Sequence, residues 1–205
     1  DDANYKFLDL VPGETKLDKE TGESITKLTD IKPDVDQYLA YTNNQCFRHI
    51  NEVRKDKGAI PEVGDRLLSY SNDGDIVKSQ IYKVIQCFDE KNGLLSLYLE
   101  DETGVIKETI HTYCQKSLFN KSHSNKTRLA LLGQSAKKNA PGVTEINSFY
   151  YADCITVHKS QGGQWNSVGF YLPQTGYYNN IPYDTLRRIK YTAVTRAKKE
   201  LYILE

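Results

Sequence analysis

The hydrophobic positions change their period along the chain. Between positions 64 and 111 they alternate with polar ones in four runs, GDRLLSY, DIVKSQIYKVIQCF, LLSLYLE and VIKETIH, divided by SNDG, DEKNG and DETG, each ending in glycine. Period-two alternation broken by such turns predicts a small antiparallel meander that closes as a barrel. On either side the pattern is different. Residues 37–42, QYLAYT, read as a buried strand; a helix follows with Phe47, Ile50 and Val53 inward, Arg48, Arg54 and Lys55 outward, and Asn43 or Asn44 as its cap. Further on, INSFYYADCITVH leads into one strand and SVGFYL forms another. Leu186, Ile189, Ala193, Val194 and Ala197 then recur at spacings of three and four, one face of a helix over 182–198 with Pro182 at its start, before the short strand ELYIL. An all-β block between α/β segments predicts an insertion: 1–62 and 146–205 form one α/β domain, and 63–145 a small antiparallel β-barrel with a basic segment.

Candidate chemistry collects in 153–163, DCITVHKSQGG, and 191–204, YTAVTRAKKELYIL. On a strand, Thr156 and His158 are two apart and share a face, where a hydroxyl and an imidazole can meet a phosphate. Lys159 adds charge and Ser160 a hydroxyl, while Gly162 and Gly163 let a backbone approach a ligand closely. Arg188, Thr192 and Arg196 follow at i, i+4 beside the apolar helix face. A fixed guanidinium such as that of Arg196 suits a transferring phosphoryl group.

TVHKSQGGQW resembles motif V, and YTAVTRAKKELYI motif VI, of superfamily 1 DNA helicases, most closely the RecD and Dda branch. The strand and helix around Tyr41 resemble motif IV. The resemblance implies a RecA-like second motor domain with a Src-homology-3-like barrel inserted at the β block, and 5′ to 3′ movement on DNA. It also implies that Arg196 is an arginine finger for the ATP γ-phosphate, that Thr156 and His158 touch the single strand, and that Gly162 faces the nucleotide. Gln164 stands where many relatives carry a Glu contacting the ribose. Tyr41 stands where many carry an Arg for the γ-phosphate; its ring either stacks on adenine or is a core or rim tyrosine.

Composition narrows the reading. Lys plus Arg and Asp plus Glu are equal at 27 each, so no global basic field advertises nucleic acid. Residues 113–144 are locally basic, with Lys116, Lys121, Lys126, Arg128, Lys137 and Lys138 and no acid, which suits either a nucleic-acid backbone or a solvated loop and helix. Residues 1–36 read as a solvated hairpin or loop around KETGES, and Tyr177 and Tyr178 lie in a loop where they either stack on bases or pack on their own domain. Cys46, Cys87, Cys114 and Cys154 form no C-x-x-C pair, so neither zinc nor redox work is indicated. Cys154 and His158 lie two pleats apart, a poor nucleophile and base.

No apolar run is long enough for a membrane helix, and the expected location is the cytoplasm. The sequence contains no methionine, which reads as an excised piece of a longer chain. VIQCFDE looks like a magnesium-binding strand end, yet Asp89 and Glu90 run into Asn92-Gly93, a hairpin signal. No Gly-Lys dipeptide occurs, so the phosphate-cradling G-x-x-x-x-G-K-[ST] loop is absent. The expectation is a motor half inactive alone, whose ATP and Mg²⁺ are held mainly by an N-terminal RecA-like domain of the same protein, acting on single-stranded DNA. The alternative is a non-motor module that binds nucleic acid or protein.

Overall fold

A computed structural model describes residues 15–17, 24–28, 33–58, 60–70, 72, 74–90, 94–113, 146–172 and 181–204. The chain divides into two compact units, Asp1–Val53 with Asp153–Glu205, and Arg54–Ala152. The basic run at 113–144, apart from its first residue, and Tyr177 and Tyr178 lie outside the described residues. No described helix is long and apolar enough to cross a membrane.

The first unit is a six-stranded sheet. Its strands are β1 (Thr15–Leu17), β2 (Ser24–Leu28), β3 (Gln37–Ala40), β9 (Cys154–Thr156), β10 (Trp165–Tyr171) and β11 (Ala197–Leu204), in the order β1-β2-β11-β10-β3-β9. All are parallel except β1, which pairs antiparallel with β2. The hairpin expected near the start therefore extends the parallel sheet through β2. Leu39, Ala40, Val168 and Phe170 are fully buried at the centre, as the unbroken apolar runs of strands covered on both faces require. Helix α1 (Asn43–Val53) packs on β3 and β9, and α2 (Tyr183–Val194) on β11.

Both helices differ in detail from the pattern. Thr42, not Asn43 or Asn44, caps α1: its hydroxyl accepts from the Gln45 N–H at 3.2 Å. That start turns Cys46, His49 and Ile50 inward and leaves Val53 48% exposed. Helix α2 stops at Val194 and not at position 198, because Trp165 pairs with Ala197 and its N–H donates to the Arg196 carbonyl. Sheet pairing overrides the helix preference of Lys198, Lys199 and Glu200.

The second unit is an antiparallel sheet of β4 (Arg66–Ser69), β5 (Ile81–Glu90), β6 (Leu94–Glu100), β7 (Ile106–Tyr113) and β8 (Phe149–Tyr151), in the order β7-β6-β5-β4-β8. The sequence pattern carried FYY into the first unit, but β8 pairs with β4. The ladder is not a closed barrel among the described residues. It is nevertheless bent: the β5–β6 pairing slips between Val84 and Gln86, and the β6–β7 pairing slips between Leu97 and Leu99, where Thr109 adopts φ 60°. At its outer ends, the Asn147 N–H donates to the His111 carbonyl, and the Thr112 hydroxyl donates to the Asn147 carbonyl. The acids Asp89 and Glu90 end β5 where it turns back to Leu94.

Arg54, expected to face solvent, is buried in this unit. Its two Nη groups each donate to Asp65 at 2.7 Å, and its guanidinium lies 3.6 Å from the centre of the Tyr151 ring. Burial alone would raise the Asp65 pKa, but the Arg54 hydrogen bonds, the Glu62 N–H and the charges of Arg54 and Lys57 outweigh it and hold the carboxyl below its ordinary value. Replacing Arg54 by Ala leaves that buried charge with only the Glu62 N–H and the exposed Lys57 beside it, and should cost about 3–5 kcal/mol in denaturant unfolding of this unit. Because the folded pKa is lowered, the pair's contribution is present above the ordinary carboxylate pKa of about 4 and is lost as pH falls below it. Unfolding followed from pH 7 to 2 should show that loss in the native chain and not in Asp65→Asn.

Candidate nucleotide and nucleic-acid site

The chemistry-bearing residues of the first unit sit at two ends of the parallel strands. Strand β9 ends at Thr156, so His158 lies in the following turn and not on a strand face with Thr156, as alternation suggested. Thr156 is 7% exposed and His158 is exposed. The turn is locked: the Val157 N–H donates to the Ala40 carbonyl at 2.9 Å, and the Lys159 and Ser160 N–H groups both donate to the Thr156 carbonyl. Ser160 is buried, with its hydroxyl donating to the Val157 carbonyl at 2.8 Å, so its side chain shapes the turn and is not presented to a ligand. Lys159 is half-buried.

Tyr41 follows β3 at the same end. Its ring centroid lies 6.3 Å from that of His158, the planes inclined by 41°. Neighbouring rings are used differently. Tyr38 donates its hydroxyl to the Pro33 carbonyl, and His49 and Tyr171 hydrogen-bond at 2.9 Å, in one packed cluster. Burial first, then the negative charge of Asp34, push the Tyr38 pKa up to about 12.

The second group lies at the starting ends of β10 and β11. Gly162 is in the left-handed region at φ 91° with open space where a Cβ would stand, and Gln164 is exposed. Gly163 has no such space: a Cβ there would meet the Trp165 ring at 2.6 Å. Arg196, half-buried just before β11, reaches back to this turn. Its Nη1 donates to the carbonyls of Ser160 at 3.4 Å and Gly163 at 3.2 Å, its Nε to the Thr192 carbonyl at 3.2 Å, and its Nη2 to the Thr195 hydroxyl at 3.2 Å. Thr195 had not been singled out; its position beside Arg196 in sequence was the available signal. A planar fork of five donors is suited to holding several oxygens at once, and here they belong to the helix end and the turn. Among the described residues no three His, Cys, Asp or Glu side chains converge as metal donors.

Residues 151–204 match the model of the UvrD-like helicase C-terminal domain. Both stretches resembling motifs V and VI fall inside that match, which supports the resemblance to the C-terminal part of a superfamily 1 helicase without singling out the RecD and Dda branch. Solved structures that are similar include a Bacteroides Pif1 bound to ssDNA, at 14% identity and TM-score 0.48 over 85% of this chain and 42% of that one. Another is the Pif1 helicase from Candida albicans, at 16% identity and TM-score 0.48 over 100% of this chain and 49% of that one. The chain spans less than half the length of these structures.

Trp165 is the only tryptophan of the chain, so its fluorescence reports on this turn. Gly163→Ala should shift its emission and cost about 1–3 kcal/mol through overpacking. Gly162→Ala should cost about 1–2 kcal/mol through its positive φ and leave the emission nearly unchanged.

Proposed function

We propose that this chain is the C-terminal motor half of an ATP-dependent DNA helicase, coupling ATP hydrolysis to movement on single-stranded DNA and to duplex unwinding. The observation that carries the reading is the bond between Arg196 and the turn after β9. One end of that turn presents His158, and the other accepts the guanidinium at Gly163. A pull on either end is transmitted to the other through two carbonyls.

In this reading Arg196 is the finger that meets the γ-phosphate, with Gly162 and Gln164 lining the nucleotide beside it. ATP and Mg²⁺ are held mainly by an N-terminal RecA-like domain of the same protein. Withdrawing the guanidinium from the Ser160 and Gly163 carbonyls frees the turn, and His158 and Lys159 shift along the strand; Thr156, buried, holds the turn through its carbonyl. Repeated closure moves the strand, 5′ to 3′ as the likeness to RecD and Dda implies. The bent second sheet, with its two bulges and the Asn147 to His111 bond, suits a Src-homology-3-like insertion. The cytoplasm is the setting we propose for it.

In the complete protein, Arg196→Ala should lower DNA-stimulated ATP turnover by about 10³–10⁵. Strand affinity should stay within a few-fold. Arg196→Lys should not rescue turnover, because an ammonium cannot reproduce the planar fork. Turnover at the native rate in either variant removes the finger. The 205-residue chain itself should bind single-stranded DNA with an affinity that falls linearly in log–log against salt, by about 0.7 per phosphate contact. Absence of binding would favour a protein-interaction module.

A further inference from the structure

We propose that Tyr41 and His158 form one stacking platform for an unpaired base of the strand, which assigns Tyr41 to nucleic acid and not to the adenine of the nucleotide. The inference rests on the strand-binding reading above and names the residues that grip a base within it.

Position is the first argument. Ala40 and Thr156 are register partners on β3 and β9, so the residues that follow each strand leave the sheet side by side. Arg196 is at the other end. Trp165 is level with Ala197, and Tyr171 with Ala40, so six residues of strand lie between the start of β11 and the end of β3, about 20 Å of rise. The guanidinium reaches back as far as the Ser160 carbonyl, and in the reading above the nucleotide lies beside it with Gly162 and Gln164, while Tyr41 leaves the sheet beside His158.

Rigidity is the second. Tyr41 stands between a strand residue held in the sheet and Thr42, which caps α1 with both its carbonyl and its hydroxyl. His158 stands between Val157, bonded to Ala40, and the Lys159–Ser160 turn bonded to Thr156. While Arg196 holds the turn, both backbones are tied before a ligand arrives, which is the condition for a preformed aromatic surface.

The third is what the rings leave unused. Tyr38, Tyr82, Tyr171 and Tyr202 each hydrogen-bond through the hydroxyl, and His49 is buried with its ring bonded. Neither Tyr41 nor His158 has a side-chain hydrogen bond among the described residues; Tyr41 is half-buried and His158 exposed. Accessible rings on a held backbone suit a flat, apolar ligand face. A base stacks on such a ring whatever its identity, as movement along any sequence requires.

The test uses the 205-residue chain and single-stranded DNA carrying 2-aminopurine, whose fluorescence is quenched by stacking. The native chain and Tyr41→Phe should quench it. Tyr41→Ala and His158→Ala should lose the quenching and bind about ten- to a hundred-fold more weakly, with the salt slope unchanged because no charge contact is lost with Tyr41. Circular dichroism, and the Trp165 emission, should match the native chain. In the complete protein, Tyr41→Ala should leave the KM for ATP unchanged. Native binding with equal quenching in Tyr41→Ala overturns the platform alone, as does a raised KM for ATP at unchanged strand affinity. A native chain that does not bind the strand overturns the functional reading and the platform together.

Discussion

The first unit depends on a guanidinium that serves two elements at once. Arg196 ends the segment that α2 begins, and its donors bridge carbonyls of two elements: Thr192 on the helix, and Ser160 and Gly163 on the turn after β9. The main chain reinforces the link, since the Arg196 carbonyl accepts from the Trp165 N–H as β10 and β11 start together. The turn, the helix end and two adjacent strands are therefore one assembly, and among the described residues the charge at its centre is placed by carbonyl and hydroxyl oxygens rather than by an acidic partner. Such an arrangement can release its cation to a stronger anion without leaving a buried carboxylate behind.

Local features of the site were legible where chemistry and pattern coincide. Motif V and motif VI could be read because glycines, a strand edge and a helix face occur at fixed offsets, and the structure brings Arg196 onto the motif V turn. What could not be read is what depends on distant partners. Arg54 looks like a surface residue from its helical phase, yet Asp65 and Tyr151 bury it. FYY continues an apolar run towards β9, yet its edge pairs with Leu67, Leu68 and Ser69. Tyr41 was grouped with the nucleotide on the likeness to motif IV, and only the register of β3 with β9 sets it beside His158.

Helix ends were misread for a related reason. Residues 195–200 have the composition of a helix, and propensity is worth at most a few tenths of a kcal/mol per residue there. Entry of Ala197 into the ladder satisfies backbone groups on two strands, and that outweighs it. Thr42 took the cap from two asparagines because β3 ends at Ala40 and two residues suffice to turn from strand to helix.

The contact of Arg54 with the Tyr151 ring joins the first residues of the second unit to its last strand. The excursion from 54 to 152 thus begins and ends at one point in space, and what would be a long floppy closure between α1 and β9 becomes a short, stiff hyphen. Evolution or an engineer could exchange the domain hung on that hyphen for another of similar footprint, and the entropy of closing the parallel sheet would scarcely change.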